Sequence, residues 1–184
     1  MIRWKRLERL AAIAVVFVAP VPVRAQPSLE YSVKAALLLN FPRFIEWPES
    51  AFSSAQSPIE VCVVAASPFG DALARALEGE TVGARTLITR EVRTPSESSG
   101  CHLLFVPAGT ESHAAALLKE NLPHTVTVGE SDQFEQMGGA VRFVLDGGRV
   151  RFNVNLRPVE QRGVRISARM LKLANRVDRA TPEK

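Results

Sequence analysis

Three histidines and two cysteines are all that this 184-residue chain has of the residue types favoured by transition metals. His102, His113 and His124 fall on a predicted strand start, a helix and a loop, so no shared ligand face is expected. Two cysteines without His or carboxylate at ligand spacing make a poor zinc site. No Gly-x-Ser-x-Gly occurs and no Ser/His/Asp set stands out, so a hydrolase has no motif to support it. The first strand runs into SPFGDAL, with one glycine. A dinucleotide site needs Gly-x-Gly-x-x-Gly there, and a phosphate loop needs Gly-Lys-Ser/Thr. A receiver-type phosphoacceptor needs Asp at the end of a parallel strand, where this chain has Ala65-Ala66 and Pro107-Ala108. No catalytic, cofactor-binding or metal-binding residue is therefore expected. Internal repeats and long low-complexity segments are also missing.

A long apolar run is lacking too. Arg3, Lys5, Arg6 and Arg9 form a positive leader, and the apolar stretch Leu10 to Val18 is interrupted soon after by Pro20 and Pro22. A bilayer span needs about 20 apolar residues. Val23 and Ala25 place small residues at −3 and −1 of a cleavage site. Residues 1–25 thus read as a signal peptide cut after Ala25, and no cysteine follows to carry a lipid. A periplasmic location in a Gram-negative cell is expected. The leader holds five Lys/Arg and one Asp/Glu, so the formal charge of +4 falls to zero in residues 26–184. The precursor's basic pI then says nothing of nucleic acid, and none is expected as a partner. The 159 residues left are one domain's worth.

An even cysteine count in an oxidising compartment points to one disulfide, Cys62–Cys101. Closing a loop of about 40 residues stabilises by about 4 kcal/mol in the chain-entropy account. Two buried thiols are the alternative.

The element pattern is what the sequence does supply. PIEVCVVAA and CHLLFVP are continuous apolar runs of the kind buried on both sheet faces. ARTLITREV and HTVTVGE read as further strands. Ser67-Pro68 offers a start for the helix DALARALEG, and Thr110 one for ESHAAALLKENL. AVRFVL and RVRFNVN alternate about Asp146-Gly147-Gly148, which predicts an antiparallel hairpin with an Asp-Gly turn. Its wet side is expected to carry Arg142, Arg149, Arg151, Asn153 and Asn155. A short helix follows from Pro158 to Gly163. Ser167 is expected to cap a terminal helix, ARMLKLANRV, with Met170, Leu173, Ala174 and Val177 inward. Strand–helix alternation followed by a hairpin predicts an α/β fold: a single compact domain, a mixed sheet flanked by helices.

The opening stretch YSVKAALLLNFPRFIEWPE is an unusual helix. Val33, Leu37, Leu38, Phe41, Phe44 and Ile45 share an apolar arc, and Lys34 falls inside it. There it can snorkel or pair with a carboxylate such as Glu46. Pro42 should kink or split the helix. Leu39, with Phe41 or Trp47, is left for a second apolar surface, either covered by a loop or offered to a partner.

These residues resemble the opening of the YfiR family (DUF4154). The shared positions are Tyr31, Lys34, Ala35, Ala36, Leu38, Asn40, Phe41, Phe44, Glu46, Trp47 and Pro48. The likeness continues through PIEVCVVAASPFGDAL, CHLLFVP and MGGAVRFVLDGGRVRFNVNL, and closes on GVRISARMLKLA. It covers essentially all of residues 26–184. The resemblance implies an exported, non-enzymatic α/β protein that forms homodimers. It implies binding to the periplasmic region of an inner-membrane diguanylate cyclase, lowering cyclic di-GMP and biofilm formation. It also implies sequestration by an OmpA-like outer-membrane lipoprotein. A small-molecule-binding or accessory module for another membrane sensor, such as a histidine kinase, stays open. Some members carry a second cysteine pair in the segment matching residues 140–152, which has none here. Two docking surfaces are expected: an apolar one at Leu39, Phe41 and Trp47, and a basic one at Arg149, Arg151, Asn153 and Arg165 with the last helix.

Overall fold

The computed structural model describes residues 28–65, 67–120 and 122–179. The expected signal peptide, with its expected cleavage after Ala25, lies outside these residues. Helix α1 (Leu29–Asn40) begins at Ser28, whose side chain accepts from the Tyr31 N–H. It ends where Pro42 cannot donate to a helical carbonyl. Phe41–Phe44 continues as one 3₁₀ turn and leads into the short strand β1 (Ile45–Glu46). The helix is thus divided at Pro42.

Strand β2 (Ile59–Val64) is followed by α2 (Ala72–Leu77), β3 (Thr81–Val82) and β4 (Arg85–Val92). Next come β5 (Leu103–Val106), α3 (Glu111–Lys119), β6 (Val126–Gly129), β7 (Val141–Asp146) and β8 (Arg149–Asn155). Helix α4 (Leu156–Gln161), β9 (Arg165–Ile166), α5 (Ala168–Leu173) and β10 (Arg176–Asp178) finish the chain. Eight strands form one sheet in the order β10-β8-β7-β6-β5-β2-β4-β3. The centre is parallel, β7–β8 and β3–β4 are antiparallel, and β10 runs parallel to β8. β1 and β9 pair apart from it, Ile45 with Ile166 and Glu46 with Arg165.

Period-two alternation divides the core between the two faces of this sheet. Val61, Val63, Leu103 and Phe105 point to one face, where they meet Leu38, Phe41, Phe69 and Leu73. Cys62, Val64, Leu104 and Val106 point to the other, packing with Ala114, Leu117 and Phe134. Both faces being covered is why these strands read as unbroken apolar runs. The Cys62–Cys101 disulfide is present on the second face, with a Cα–Cα distance of 5.8 Å.

Three local expectations are corrected. Ser67-Pro68 opens a turn, not a helix: Gly70 takes φ +51°, and α2 starts only at Ala72. The hairpin turn is Gly147-Gly148, because Asp146 is already paired with Arg149. Both glycines have positive φ, +55° and +73°, which a type I′ turn requires. The terminal helix stops at Leu173. Ala174 is extended, and the Asn175 N–H donates to the Phe152 carbonyl at 2.8 Å. The free edge of β8 offers a ladder to the chain, so Arg176 and Val177 lie in a strand. Leu173, expected inward, is 62% exposed.

Candidate functional site

The carboxyl ends of parallel strands are where open α/β sheets place ligands. Here that end is occupied by a charged cluster. Lys34 donates to Glu30 and to Glu130 Oε1. Glu130 Oε2 accepts from the Tyr31 hydroxyl at 3.1 Å and the Ala108 N–H at 3.2 Å. Burial, then the Glu130 charge, pushes the Tyr31 phenol up to about 12, so it remains a donor. Lys34 also sits 4.6 Å from the centre of the Tyr31 ring. It is buried, at 4% exposure, and its partner is not Glu46, which faces solvent beside β9. Tyr31 and Lys34, three apart on one helix face, thus tie α1 to Glu130, just beyond β6. A groove of about 540 Å³ opens here, lined by Lys34, Glu130, Arg142 and Leu145 among others.

A second charged feature lies on the hairpin. Glu135 Oε2 accepts from Arg142 Nε and from Arg176 Nη2, both at 2.9 Å. Arg142, Asn153 and Arg176 are register neighbours on β7, β8 and β10. The carboxylate therefore bridges the row across Asn153. The other oxygen of Glu135 is buried without a hydrogen-bond partner. A groove of about 370 Å³ at this place is lined by Glu135, Arg157 and Arg162 among others. Burial lowers the Arg162 pKa, and its guanidinium donates to the Thr125 carbonyl.

The residues singled out from sequence separate into two groups. Phe41 is 3% exposed and belongs to the core, stacked on Phe143 and edge-on to Phe152. Leu39 and Trp47 are half-buried against the same core, and Trp47 Nε1 donates to the His124 carbonyl at 2.8 Å. The apolar surface imagined around them is therefore mostly filled by the protein itself. Asn153 is also not on a wet side: it is 3% exposed, accepting from Asn175. Arg149, Arg151 and Arg165 are exposed, and none forms an ion pair among the described residues. Arg165 lines a groove of about 630 Å³ whose walls include Leu156, Val164, Ile166, Leu171 and Arg179. Arg149 and Arg151 do not line that groove.

Glu130, Glu135, Arg142 and Arg162 are not among the expected docking residues. Two of them carry a sequence signal: Glu130 is the charge that ends the strand VTVG, and Arg142 lies on the hairpin face expected to be wet, where Glu135 in fact pairs with it. Among the described residues, no three His, Cys, Asp or Glu side chains gather to hold a metal. His102 is tied to the Ala51 carbonyl and the Glu60 N–H, and His124 faces Ser50 and the Arg162 carbonyl. No helix of the described residues is long and apolar enough to cross a membrane.

Among solved structures, the chain is similar to a conserved domain protein from Vibrio cholerae O1 biovar El Tor. The identity is 10% and the TM-score 0.48. It is also similar to an ABC domain in complex with L-Trp from Streptococcus pneumoniae, at 13% identity and a TM-score of 0.47. Each match covers 80% of this chain and 60% of the other, and neither bears on function. The family model described as YfiR/HmsC-like (DUF4154) matches residues 31–175, from the tyrosine of the Lys34 cluster to the asparagine that joins β10 to β8. This chain belongs to the YfiR/HmsC-like family.

Proposed function

We propose that this protein is a periplasmic negative regulator that binds the periplasmic sensing region of an inner-membrane diguanylate cyclase and lowers cyclic di-GMP signalling. Family membership over residues 31–175 carries the reading, since the family supports periplasmic regulation of cyclic di-GMP signalling in general. Export is directed by residues 1–25, which are removed by cleavage after Ala25; intact mass of the exported protein checks this, and a species retaining residues 1–25 counts against it. The cyclase contact is assigned to the groove lined by Arg165 and Arg179. Its floor of Leu156, Val164, Ile166 and Leu171 supplies apolar area, and its two arginines supply a charged rim. Interfaces favour that combination of apolar centre and arginine. An OmpA-like outer-membrane lipoprotein and a second copy of the chain are further partners in this reading.

Deleting the gene should raise cellular cyclic di-GMP and matrix production. Arg165→Gln should weaken capture of the cyclase's periplasmic region and leave the melting temperature unchanged. Glutamine is the cleaner replacement, because Glu46 lies opposite Arg165 on β1 and a second carboxylate there would destabilise. Unaltered cyclic di-GMP on deletion, with no cyclase co-purifying, would refute the cyclase reading. Co-purification of a sensor histidine kinase would then favour a role as its accessory module.

A further inference from the structure

Strand β4 is the longest of the sheet, yet β3 covers only Arg85 and Thr86. Backbone groups of a strand alternate in direction, and two bonds fix the alternation here. Toward β2, the Val92 carbonyl accepts from the Ala65 N–H at 2.8 Å. On the other side, the Leu87 N–H donates to the Glu80 carbonyl at 2.9 Å. Ile88, Arg90 and Val92 therefore bond toward β2, whereas Leu87, Thr89 and Glu91 turn outward. Just past the strand, the Arg93 N–H donates to the Glu97 carboxylate at 2.8 Å. Thr89 and Glu91 thus lie between two satisfied positions. Their own outward N–H and C=O groups meet no protein partner among the described residues.

Edge strands carry devices against a further strand, such as proline, a bulge or an outward lysine. This one has neither proline nor lysine, and its register with β2 runs unbroken from Leu87 to Val92. Its charges are engaged elsewhere. Arg90 donates to Glu60 at 2.9 Å and to the Ser99 carbonyl, and Glu91 Oε1 accepts from the Ser67 N–H. Ile88 is 41% exposed, on the sheet face that carries Cys62. A groove of about 550 Å³ follows the same edge, lined by Ala74, Leu77 and Glu78 beside Leu87, Ile88 and Thr89. Glu78 is exposed and forms no ion pair among the described residues.

We propose that the outer edge of β4, from Ile88 to Val92, takes up an extended segment of another protein as an added strand, one that alternates basic and apolar residues. Unpaired donors and acceptors in strand spacing are matched by a second main chain, which supplies affinity, while side chains on alternate faces supply the choice of sequence. On the face toward α2, a cation of the segment reaches Glu78. On the other face, an apolar side chain covers Ile88. A second copy of this chain fits less well, because every two-fold register meets an obstacle. Centred on Thr89, it collides with the chain that already pairs with Leu87. Centred on Arg90 or on Glu91, it sets like charges opposite each other. The edge lies toward the β3 end of the sheet, whereas β10, which follows Arg165 in the chain, forms the other end. The two surfaces are therefore separate.

Fluorescence anisotropy of the exported protein with labelled peptides tests this. One peptide alternates lysine with valine, one alternates glutamate with valine, and a third is the lysine–valine peptide N-methylated throughout, which removes its main-chain donors. Saturable binding of the first alone is expected. Thr89→Pro removes an outward N–H that β2 does not use, and edge positions of this kind accept proline. It should weaken binding about ten-fold, the effect of one main-chain bond lost. Glu78→Gln should weaken it about three-fold, as for an exposed ion pair. Ile88→Lys sets a guarding charge on the edge and leaves the backbone intact. Loss of binding with an unchanged melting temperature is expected of it, so the test stands even if Thr89→Pro does not fold. No saturable binding of the lysine–valine peptide overturns the proposal, as does equal binding of either control peptide. Binding unmoved by both Thr89→Pro and Ile88→Lys overturns it too. So does a dimer in analytical sedimentation that Ile88→Lys dissolves, which would give the edge to a second copy. Arg165→Gln should leave peptide binding unchanged, so this outcome is independent of the cyclase reading.

Discussion

Lys34 is a charge in the middle of an apolar helix face, and its neighbours decide what it contributes. With Glu130 nearly as buried, removing the ammonium strands a carboxylate that keeps only the Tyr31 hydroxyl and the Ala108 N–H. Breaking a buried pair from one side costs about 3–5 kcal/mol. Lys34→Met should lower unfolding stability by about that amount in urea titration. Adding Glu130→Gln should recover part of it, and no recovery would show that the pair is not the cause. His102 gives a pH dependence. Its Nδ1 accepts from the Glu60 N–H, so the proton sits on Nε2 and faces the Ala51 carbonyl. Burial, the largest cause, lowers its pKa, opposed by the bond to Ala51. The folded pKa then lies below the unfolded value of about 6.5. The stability from a neutral His102 is present above about 6.5 and is lost as pH falls through the folded value. The melting temperature should drop as pH falls from about 6.5 toward 5, and His102→Gln should flatten that slope.

At the scale of elements, short stretches were decided by their pairing partners. The hairpin needs two residues at positive φ between Asp146 and Arg149, and Gly147-Gly148 provides them. Gly148→Val should cost about 1–2 kcal/mol, the strain of placing a side chain in the left-handed region. Gly147→Asn should be nearly neutral, since asparagine tolerates that region. Chemical denaturation of the two variants checks the contrast, and equal losses would contradict the turn assignment. The stop of α5 at Leu173 has another cause. ARMLKLANRV has helical apolar spacing, yet Arg176 to Asp178 pairs with Asn153 to Asn155. Adding a strand to β8 satisfies more backbone groups than a last, exposed helical turn would.

For the whole molecule, the disulfide joins Cys101, just before β5, to Cys62 in the middle of β2, across a sequence separation of 39. Replacing both with alanine should lower stability by at most about 4 kcal/mol. For a chain of this size that corresponds to a fall in melting temperature of about 10 °C. Differential scanning calorimetry of the variant decides it, and an unchanged melting temperature would mean that the bridge adds nothing to parallel strands already paired.

The α/β class, the doubly buried strands, the break at Pro42 and the Cys62–Cys101 bridge were legible because each depends on residue type and local spacing. Apolar runs, alternation and a missing N–H act within a few residues of themselves. The candidate site was legible only in part. Arg149, Arg151 and Arg165 are long charged side chains on short elements, and exposure is their default. Phe41 and Asn153 could not be read correctly, because what covers them comes from elsewhere in the chain: Phe143 and Phe152 in one case, Glu135 and Asn175 in the other. The buried partner of Lys34, Glu130, ninety-six residues away, was equally out of reach, whereas its second partner Glu30 lies one helical turn before it. Local sequence determined which segments become strands and helices, through backbone preference and apolar period. Tertiary structure alone decided which polar groups are buried together and which cations are left facing water, because burial and pairing are set by distance in space.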